Sequence, residues 1–95
     1  MVRVVTQHLD ACEDHDLAIR TAGQLLRDGE LVAIPTETVY GLAACISNEE
    51  ALGRIFVVKG RPSDNPLIVH IAQLGQVDEL ATVDATSRRL IDVFW

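Results

Sequence analysis

The sequence has few aromatic residues and few cations, and each shortage excludes a class of function. Aromatic side chains make up 4% of the 95 residues, and 8 Lys and Arg stand against 14 Asp and Glu, for a formal net charge of −6. Broad binding of duplex nucleic acid or tRNA needs clustered cations that neutralise phosphates, so only a small local basic pocket fits this composition. The scarcity of aromatic side chains also argues against a non-catalytic RNA-binding module.

Long apolar runs and a signal peptide are lacking too. A transmembrane helix needs about 20 consecutive apolar residues, and the longest apolar run here is only a few residues. The N-terminus has no basic segment followed by an apolar core and a cleavage site. Cys12 and Cys45 stand alone without metal-type spacing, which favours reduced thiols over a disulfide. These absences predict a cytoplasmic protein with no metal site of its own and no membrane contact.

The chain does contain alternating β-like and helical patterns, enough for one small domain. Apolar, β-branched runs predict three strands, at residues 2–6, 31–35 and 67–72. Apolar residues at helical spacing predict two clear helices at 14–28 and 48–58, a weak one at 76–81 and a stronger one at 86–95. The alternation is typical of the α/β class.

Capping residues and glycines in the sequence also predict the helix boundaries. Gly29 and Gly60 are placed to end the first two helices, because glycine adopts the left-handed conformation that follows a last helical turn. The segment Ser47-Asn48-Glu49-Glu50 predicts a capping box at the start of the second helix, with the Ser47 hydroxyl as the cap. The last helix runs into Phe94-Trp95 without a stop signal, so we expect the chain to be an interrupted domain.

Two polar clusters carry the chemistry. The first cluster, residues 35–42, reads Pro-Thr-Glu-Thr-Val-Tyr-Gly-Leu and follows an apolar run. The second cluster, residues 59–70, reads Lys-Gly-Arg-Pro-Ser-Asp-Asn-Pro-Leu-Ile-Val-His and follows a helix. Ligands commonly bind outside the ends of strands in open α/β sheets, so the two clusters together predict one pocket. Neither GxxxxGK[ST] nor GxGxxG is present, so a nucleotide site would be of another kind.

Each residue of the second cluster admits two interpretations. Lys59 and Arg61 suit a polyphosphate, but they also suit the negative end of a helix dipole. Asn65 has donors and an acceptor for a nucleotide, but Asp-Asn-Pro is also a good turn. His70 lies in an aliphatic run, so it is either a satisfied structural histidine or part of a polar cavity. Arg54 adds to the cationic field or is a solvated surface residue.

The first cluster is equally open when taken alone. The hydroxyls of Thr36 and Thr38 and the Glu37 carboxylate can bond their own backbone in a turn. Glu37 could instead be a general base or a magnesium ligand, but no second carboxylate stands at a telling spacing. No nucleophile–base pair stands out anywhere in the sequence.

Together, the two clusters closely resemble the YrdC-like family, the L-threonylcarbamoyladenylate synthases, from about residue 10 to the C-terminus. The resemblance implies an α/β fold with a twisted mixed sheet and flanking helices around a concave cavity. It implies that residues 1–95 are the N-terminal portion of a single YrdC-like domain. Phe94-Trp95 is similar to the start of the family's Phe-Trp-Pro-Gly-Pro-Leu-Thr segment, and the family's later Ser-x-Asn motif is not in the sequence.

The resemblance also implies a reaction. L-threonine, bicarbonate and ATP, with magnesium on the phosphates, give threonylcarbamoyl-AMP and pyrophosphate. The product passes to a transferase complex that makes the threonylcarbamoyladenosine (t6A) of tRNAs. Thr38 and His70 would hold threonine, with Tyr40 shaping that end of the site. Arg61 and Asn65 would hold ATP, and Lys59 would face the phosphates or the carbamate, so that Lys59 and Arg61 carry the catalytic charge.

Two departures and two alternatives accompany the resemblance. Ala43 stands where the family often has glycine, which we take as tolerated, and without the later motif we expect these residues alone to be inactive. The related carbamoyl-adenylate-forming domain of hydrogenase maturation proteins uses carbamoyl phosphate instead of threonine and bicarbonate. A non-catalytic module with weak tRNA binding is the other alternative.

Overall fold

A computed structural model describes residues 5–62 and 66–95. Its helices and strands follow one another as α1, His15–Arg27; β1, Val32–Pro35; β2, Tyr40–Ala43; α2, Glu49–Lys59; a 3-10 turn, Leu74–Gln76; α3, Val77–Leu80; and α4, Ala85–Phe94. All four predicted helices are therefore confirmed, each within a few residues of its expected bounds. The strands differ more.

The first helix begins and ends where its capping residues allow. The Asp14 carboxylate accepts a hydrogen bond from the Leu17 amide at 3.0 Å and so caps α1. At the other end Gly29 has φ +84°, and its amide bonds the Leu26 carbonyl while the Glu30 amide bonds that of Leu25. These two bonds form a Schellman motif, which satisfies carbonyls that the helix leaves free. The prediction that Gly29 ends the helix is confirmed.

The second helix begins one residue later than the predicted capping box implied. Asn48, not Ser47, is the cap, and its Oδ1 accepts from the Ala51 amide at 2.9 Å. The prediction of Ser47 as the cap was wrong because an Asn side chain caps equally well and the chain enters the helix through it. At the C-terminal end Gly60 adopts φ +65°, as predicted, and the Arg61 amide bonds the Phe56 carbonyl at 3.0 Å.

The sheet of the described residues is a β-hairpin. β1 pairs antiparallel with β2, in the register Val32 opposite Ala43 and Pro35 opposite Tyr40. The predicted strand at 31–35 is confirmed, whereas β2 was not expected because its sequence, Tyr-Gly-Leu-Ala, carries little β-branched character. Pro35 closes the ladder, as its missing N–H requires.

One predicted strand is not formed, and most of another lies outside the described residues. Residues 66–71 have no regular secondary structure, so the predicted strand at 67–72 is wrong as a paired element, although it is not helical either. A strand needs a neighbouring backbone, and no described residue offers one to this segment. Of the predicted strand at 2–6, residues 5 and 6 are unpaired, and the rest lies outside the described residues.

The buried core is small, and its residues lie on the first two helices. Ala18, Ala51 and Ile55 are the buried apolar residues of the described chain. Large apolar side chains elsewhere remain exposed, among them Val57, Ile68, Phe94 and Trp95. The radius of gyration is 15.8 Å, whereas a compact chain of this length has about 12 Å. The fold is therefore open, and its apolar surface is largely uncovered.

Candidate functional site

The first cluster forms the tip of the β1–β2 hairpin. The Thr36 amide donates to the Val39 carbonyl at 3.2 Å, and the Thr36 hydroxyl donates to the same carbonyl. The Val39 amide in turn donates to the Thr36 hydroxyl oxygen at 3.2 Å. The turn interpretation of Thr36 is thus confirmed, since its hydroxyl is used locally. Glu37 and Thr38 are left at the exposed tip, where their side chains can meet a ligand.

Tyr40 and Gly41 continue the first cluster into β2. Tyr40 is 75% exposed opposite Pro35, so its ring is open to solvent beside the hairpin tip. Gly41 pairs with Ile34 in extended backbone and does not use the positive φ that only glycine adopts readily. A Cβ at Gly41 would lie 3.6 Å from the Thr36 methyl, an ordinary contact. Gly41 therefore serves here as an ordinary strand residue.

The second cluster begins at the C-terminal end of α2. Lys59 is the last helical residue and is exposed, and Arg61 is half-buried beyond the left-handed Gly60. Within residues 5–62 and 66–95, neither cation has an ion pair or a side-chain hydrogen bond. A cation at a helix C-terminus is stabilised by the dipole, typically by about 0.3–1 kcal/mol, which leaves these charges available for an anionic ligand.

His70 lies on the segment that was predicted to be a strand. Its side chain is exposed, and among the described residues no hydrogen bond reaches it. The interpretation as a buried, satisfied structural histidine is therefore not supported here. Asn65, predicted to contact ATP, lies outside the described residues.

Two cavities of the described chain lie away from the predicted site. One, of about 690 Å³, lies between the segment before α1 and the first turns of that helix, beside His8, Asp10 and Asp14. The other, of about 390 Å³, is lined by Leu90, Ile91, Phe94 and Trp95 at the end of α4. Convergence of the two clusters on one cavity therefore stays a prediction.

One contact close to the two clusters was not predicted from the sequence. Arg54 in α2 donates from its Nη2 to the Gly29 carbonyl, and the same nitrogen lies 3.7 Å from Oε2 of Glu30. The surface interpretation of Arg54 holds only in part, because its side chain is 43% exposed while its Nη2 is bonded and its Nε is shielded from solvent. No sequence signal could have found this contact, because the partners lie 25 positions apart along the chain.

The described ranges contain no group of three or more His, Cys, Asp or Glu side chains that could hold a metal ion. In the same ranges, no helix combines the length and apolarity that crossing a membrane requires.

The chain matches a known family over most of its length. The family model described as telomere recombination, of the Sua5, YciO and YrdC proteins, matches residues 24–95. The chain is 47% identical over 87 residues to the threonylcarbamoyl-AMP synthase of Bacillus subtilis (strain 168), covering 90% of this chain and 25% of the relative. It is 51% identical over 78 residues to that of Pyrococcus abyssi (strain GE5 / Orsay), covering 81% and 23%.

Solved structures of a relative also match most of the chain. The crystal structure of P. abyssi Sua5 complexed with L-threonine superimposes with a TM-score of 0.78 at 49% identity, covering 84% of this chain and 24% of that one. A doubly substituted variant of P. abyssi Sua5 gives a TM-score of 0.79 at the same identity, covering 84% and 25%. The chain thus spans about a quarter of the length of these relatives and shares their α/β fold over that quarter.

Proposed function

We propose that this chain, which belongs to the Sua5, YciO and YrdC family, supplies the threonine-binding and phosphate-binding segments of an L-threonylcarbamoyladenylate synthase. The observation that carries the proposal is the 47–51% identity to threonylcarbamoyl-AMP synthases. The P. abyssi relative, whose structure includes L-threonine, supports threonine as the amino-acid substrate. ATP and bicarbonate are the two other substrates of the proposed reaction.

The proposed roles are those that the family resemblance implies, and the exposure of the side chains is compatible with them. Thr38 stands at the exposed hairpin tip, and Tyr40 lies open beside it. With His70, which is also exposed, they would hold the threonine. Lys59 and Arg61, at the end of α2 and free of partners among the described residues, would hold the phosphates of ATP with Asn65.

The proposed reaction requires positive charge near the phosphates more than it requires a nucleophile from the protein. The threonine amine and bicarbonate form an N-carboxy-threonine with loss of water, and its carboxylate oxygen then attacks the α-phosphorus of ATP. A bond forms between that oxygen and phosphorus, and the bond to the pyrophosphate oxygen breaks. Fixed cations stabilise the charge that grows on the leaving group, and a guanidinium can contact two phosphate oxygens at once. Arg61 and Lys59 are suited to that task.

Magnesium would arrive with the nucleotide. The described part of the chain has no cluster of carboxylates to hold a divalent cation. Its residues near the proposed phosphate site are cations, which do not fit a resident metal. We therefore treat the Mg–ATP complex as the substrate and assign no step to a metal held by this chain.

The proposed product is an activated intermediate and implies a partner. Threonylcarbamoyl-AMP would pass to a transferase complex that makes the t6A of tRNA, in the cytoplasm. The net charge of −6 fits weak contact with tRNA at most, because tight binding needs a larger basic surface.

A hybrid protein tests the function. Residues 1–95 would be joined to the part of the B. subtilis relative that follows its matched segment. We expect pyrophosphate release that needs both threonine and bicarbonate, and no release from the 95-residue chain alone. Release that needs carbamoyl phosphate instead would assign the chain to the hydrogenase-maturation type. Salt-dependent tRNA binding without ATP turnover would favour an RNA-binding module.

Two substitutions in the hybrid separate the two ends of the site. Arg61→Ala removes a charge-assisted contact of about 1.5–3 kcal/mol, or roughly tenfold to a hundredfold in ATP-dependent rate. Thr38→Val keeps the side-chain shape but removes the hydroxyl, so it should raise the KM for threonine more than that for ATP. Arg27→Ala, on the exposed last turn of α1, is the matched control and should leave both unchanged. Equal effects of Arg61→Ala and Arg27→Ala would contradict the assignment.

A further inference from the structure

We propose that Arg54 is a positioning residue, which sets the separation between the hairpin tip and the cationic end of α2. The proposal deepens the function above and rests on it, because it takes the two clusters to act on one pair of substrates. Arg54 itself contacts neither cluster. It acts through the backbone that leads into β1.

Arg54 in α2 contacts the segment that follows α1. The Arg54 guanidinium donates to the Gly29 carbonyl and lies 3.7 Å from a Glu30 carboxylate oxygen. In the described part of the chain, it is the side-chain hydrogen bond with the greatest separation in sequence, 25 positions. The contact also occupies the C-terminal end of α1, where carbonyl groups favour a cation.

Each side of this contact leads to one of the two polar clusters. Gly29 and Glu30 lead directly into β1, a strand of 4 residues that ends at the hairpin tip carrying Thr38. On the other side, Arg54 lies five residues before Lys59 on one helix, a distance of about 7.5 Å along the axis at 1.5 Å per residue. The contact therefore joins two short, regular elements, each of which carries one cluster at its far end.

A second contact, at the start of the same helix, reinforces the one from Arg54. The Asn48 side chain, which caps α2, lies so close to Gly29 that a Cβ there would be 2.6 Å from its Nδ2. The Gly29–Glu30 segment thus touches α2 at two points, Asn48 and Arg54. Two contacts along one helix fix its direction as well as its distance, whereas Asn48 alone would allow α2 to pivot.

The separation can be measured in the complete 95-residue chain without any activity. Spin labels would be attached at cysteines introduced for Glu37, at the hairpin tip, and for Val58, near the end of α2, with Cys12 and Cys45 replaced by alanine. Glu37 and Val58 are exposed, so the labels need not disturb packing. Pulsed electron paramagnetic resonance then gives the distribution of distances between the two labels.

We expect the unsubstituted pair to give one narrow distribution. Arg54→Met keeps an unbranched apolar stem but removes the charge and the donors, and should at least double the width of the distribution. Arg54→Lys keeps a charged donor for the Gly29 carbonyl and for Glu30 but on a shorter side chain, so its broadening should be intermediate. Arg27→Met is the matched control, because the one bond of the Arg27 side chain within the described ranges goes to Gln24 in its own helix, at 3.2 Å. Its distribution should stay narrow.

Each outcome decides the proposal. An unchanged distribution for Arg54→Met, with or without a lower melting temperature, would show that Arg54 only stabilises the fold and would overturn the proposal. If Arg54→Met does not fold, Arg54→Lys decides in the same way. A hybrid enzyme that releases no pyrophosphate, alongside broadened distances in the Arg54 variants, would refute the proposed function and leave the positioning effect standing.

Discussion

Replacing Gly29 by alanine tests the junction between α1 and α2 most severely. Two separate features forbid a side chain there. Its φ of +84° lies in the left-handed region, where a Cβ costs about 1–2 kcal/mol. The added Cβ would also lie 2.6 Å from Nδ2 of Asn48, which is closer than real Cβ atoms come to other heavy atoms. Asn48 must therefore move.

The second cost follows from what Asn48 does. Its Oδ1 caps α2 through the Ala51 amide at 2.9 Å, and losing such a cap costs about 1 kcal/mol. Gly29→Ala should therefore lower the free energy of unfolding by about 2–3 kcal/mol, the sum of backbone strain and lost capping. For a chain of this size that corresponds to a fall in melting temperature of roughly 10–20 °C. Circular dichroism at increasing temperature or urea concentration measures it.

The chain supplies its own control. Gly53 lies within α2, is exposed, and has nothing within 4 Å of an added Cβ. Gly53→Ala should therefore stabilise the helix by about 0.5–1 kcal/mol, the usual gain from removing a helical glycine. In an Asn48→Ser background, where the cap is shorter, Gly29→Ala should cost only its backbone part, about 1–2 kcal/mol. A Gly29→Ala variant as stable as the wild type would refute the geometry of this junction.

Two titrating groups give further predictions. The Ser87 backbone amide, and then its hydroxyl, lower the pKa of the Asp84 carboxyl, which caps α4. The capping contribution should thus be complete above the ordinary Asp pKa and be lost as pH falls through the lower folded value, and Asp84→Ala should remove that pH dependence of helicity. A hydrogen bond with the Ser47 hydroxyl, at 3.1 Å, lowers the pKa of Cys45. Ser47→Ala should slow alkylation of Cys45 relative to Cys12 in the same molecule, measured by mass spectrometry; an unchanged ratio would count against this hydrogen bond.

The local features of the sequence predicted the helices well. Asp14, Gly29 and Gly60 act on the backbone of their own or neighbouring turns, so their effect can be derived from residue type and spacing alone. The error at Ser47 was only a choice between two adjacent capping residues. The family resemblance, carried by two long motifs, was likewise confirmed by the match over residues 24–95.

The candidate site was predicted less completely. The sequence identified Thr38, Lys59, Arg61 and His70 as available polar side chains, and the structure leaves them exposed or half-buried. The hydroxyl of Thr36 turned out to be used in its own turn. Whether the two clusters meet depends on the relative positions of β1 and α2. We propose that the Arg54 contact helps to set those positions.

The sequence by itself determined where the helices start and stop, which residues carry charge at the end of α2, and which family the chain belongs to. Only the tertiary structure decided the pairing of β1 with β2, the lack of pairing at residues 66–71, and the contact of Arg54 with Gly29. The physical reason is the range of the interactions. A cap or a helical turn is closed by residues within about four positions, whereas strand pairing and a contact across 25 positions require distant segments to be brought together by the packing of the whole chain.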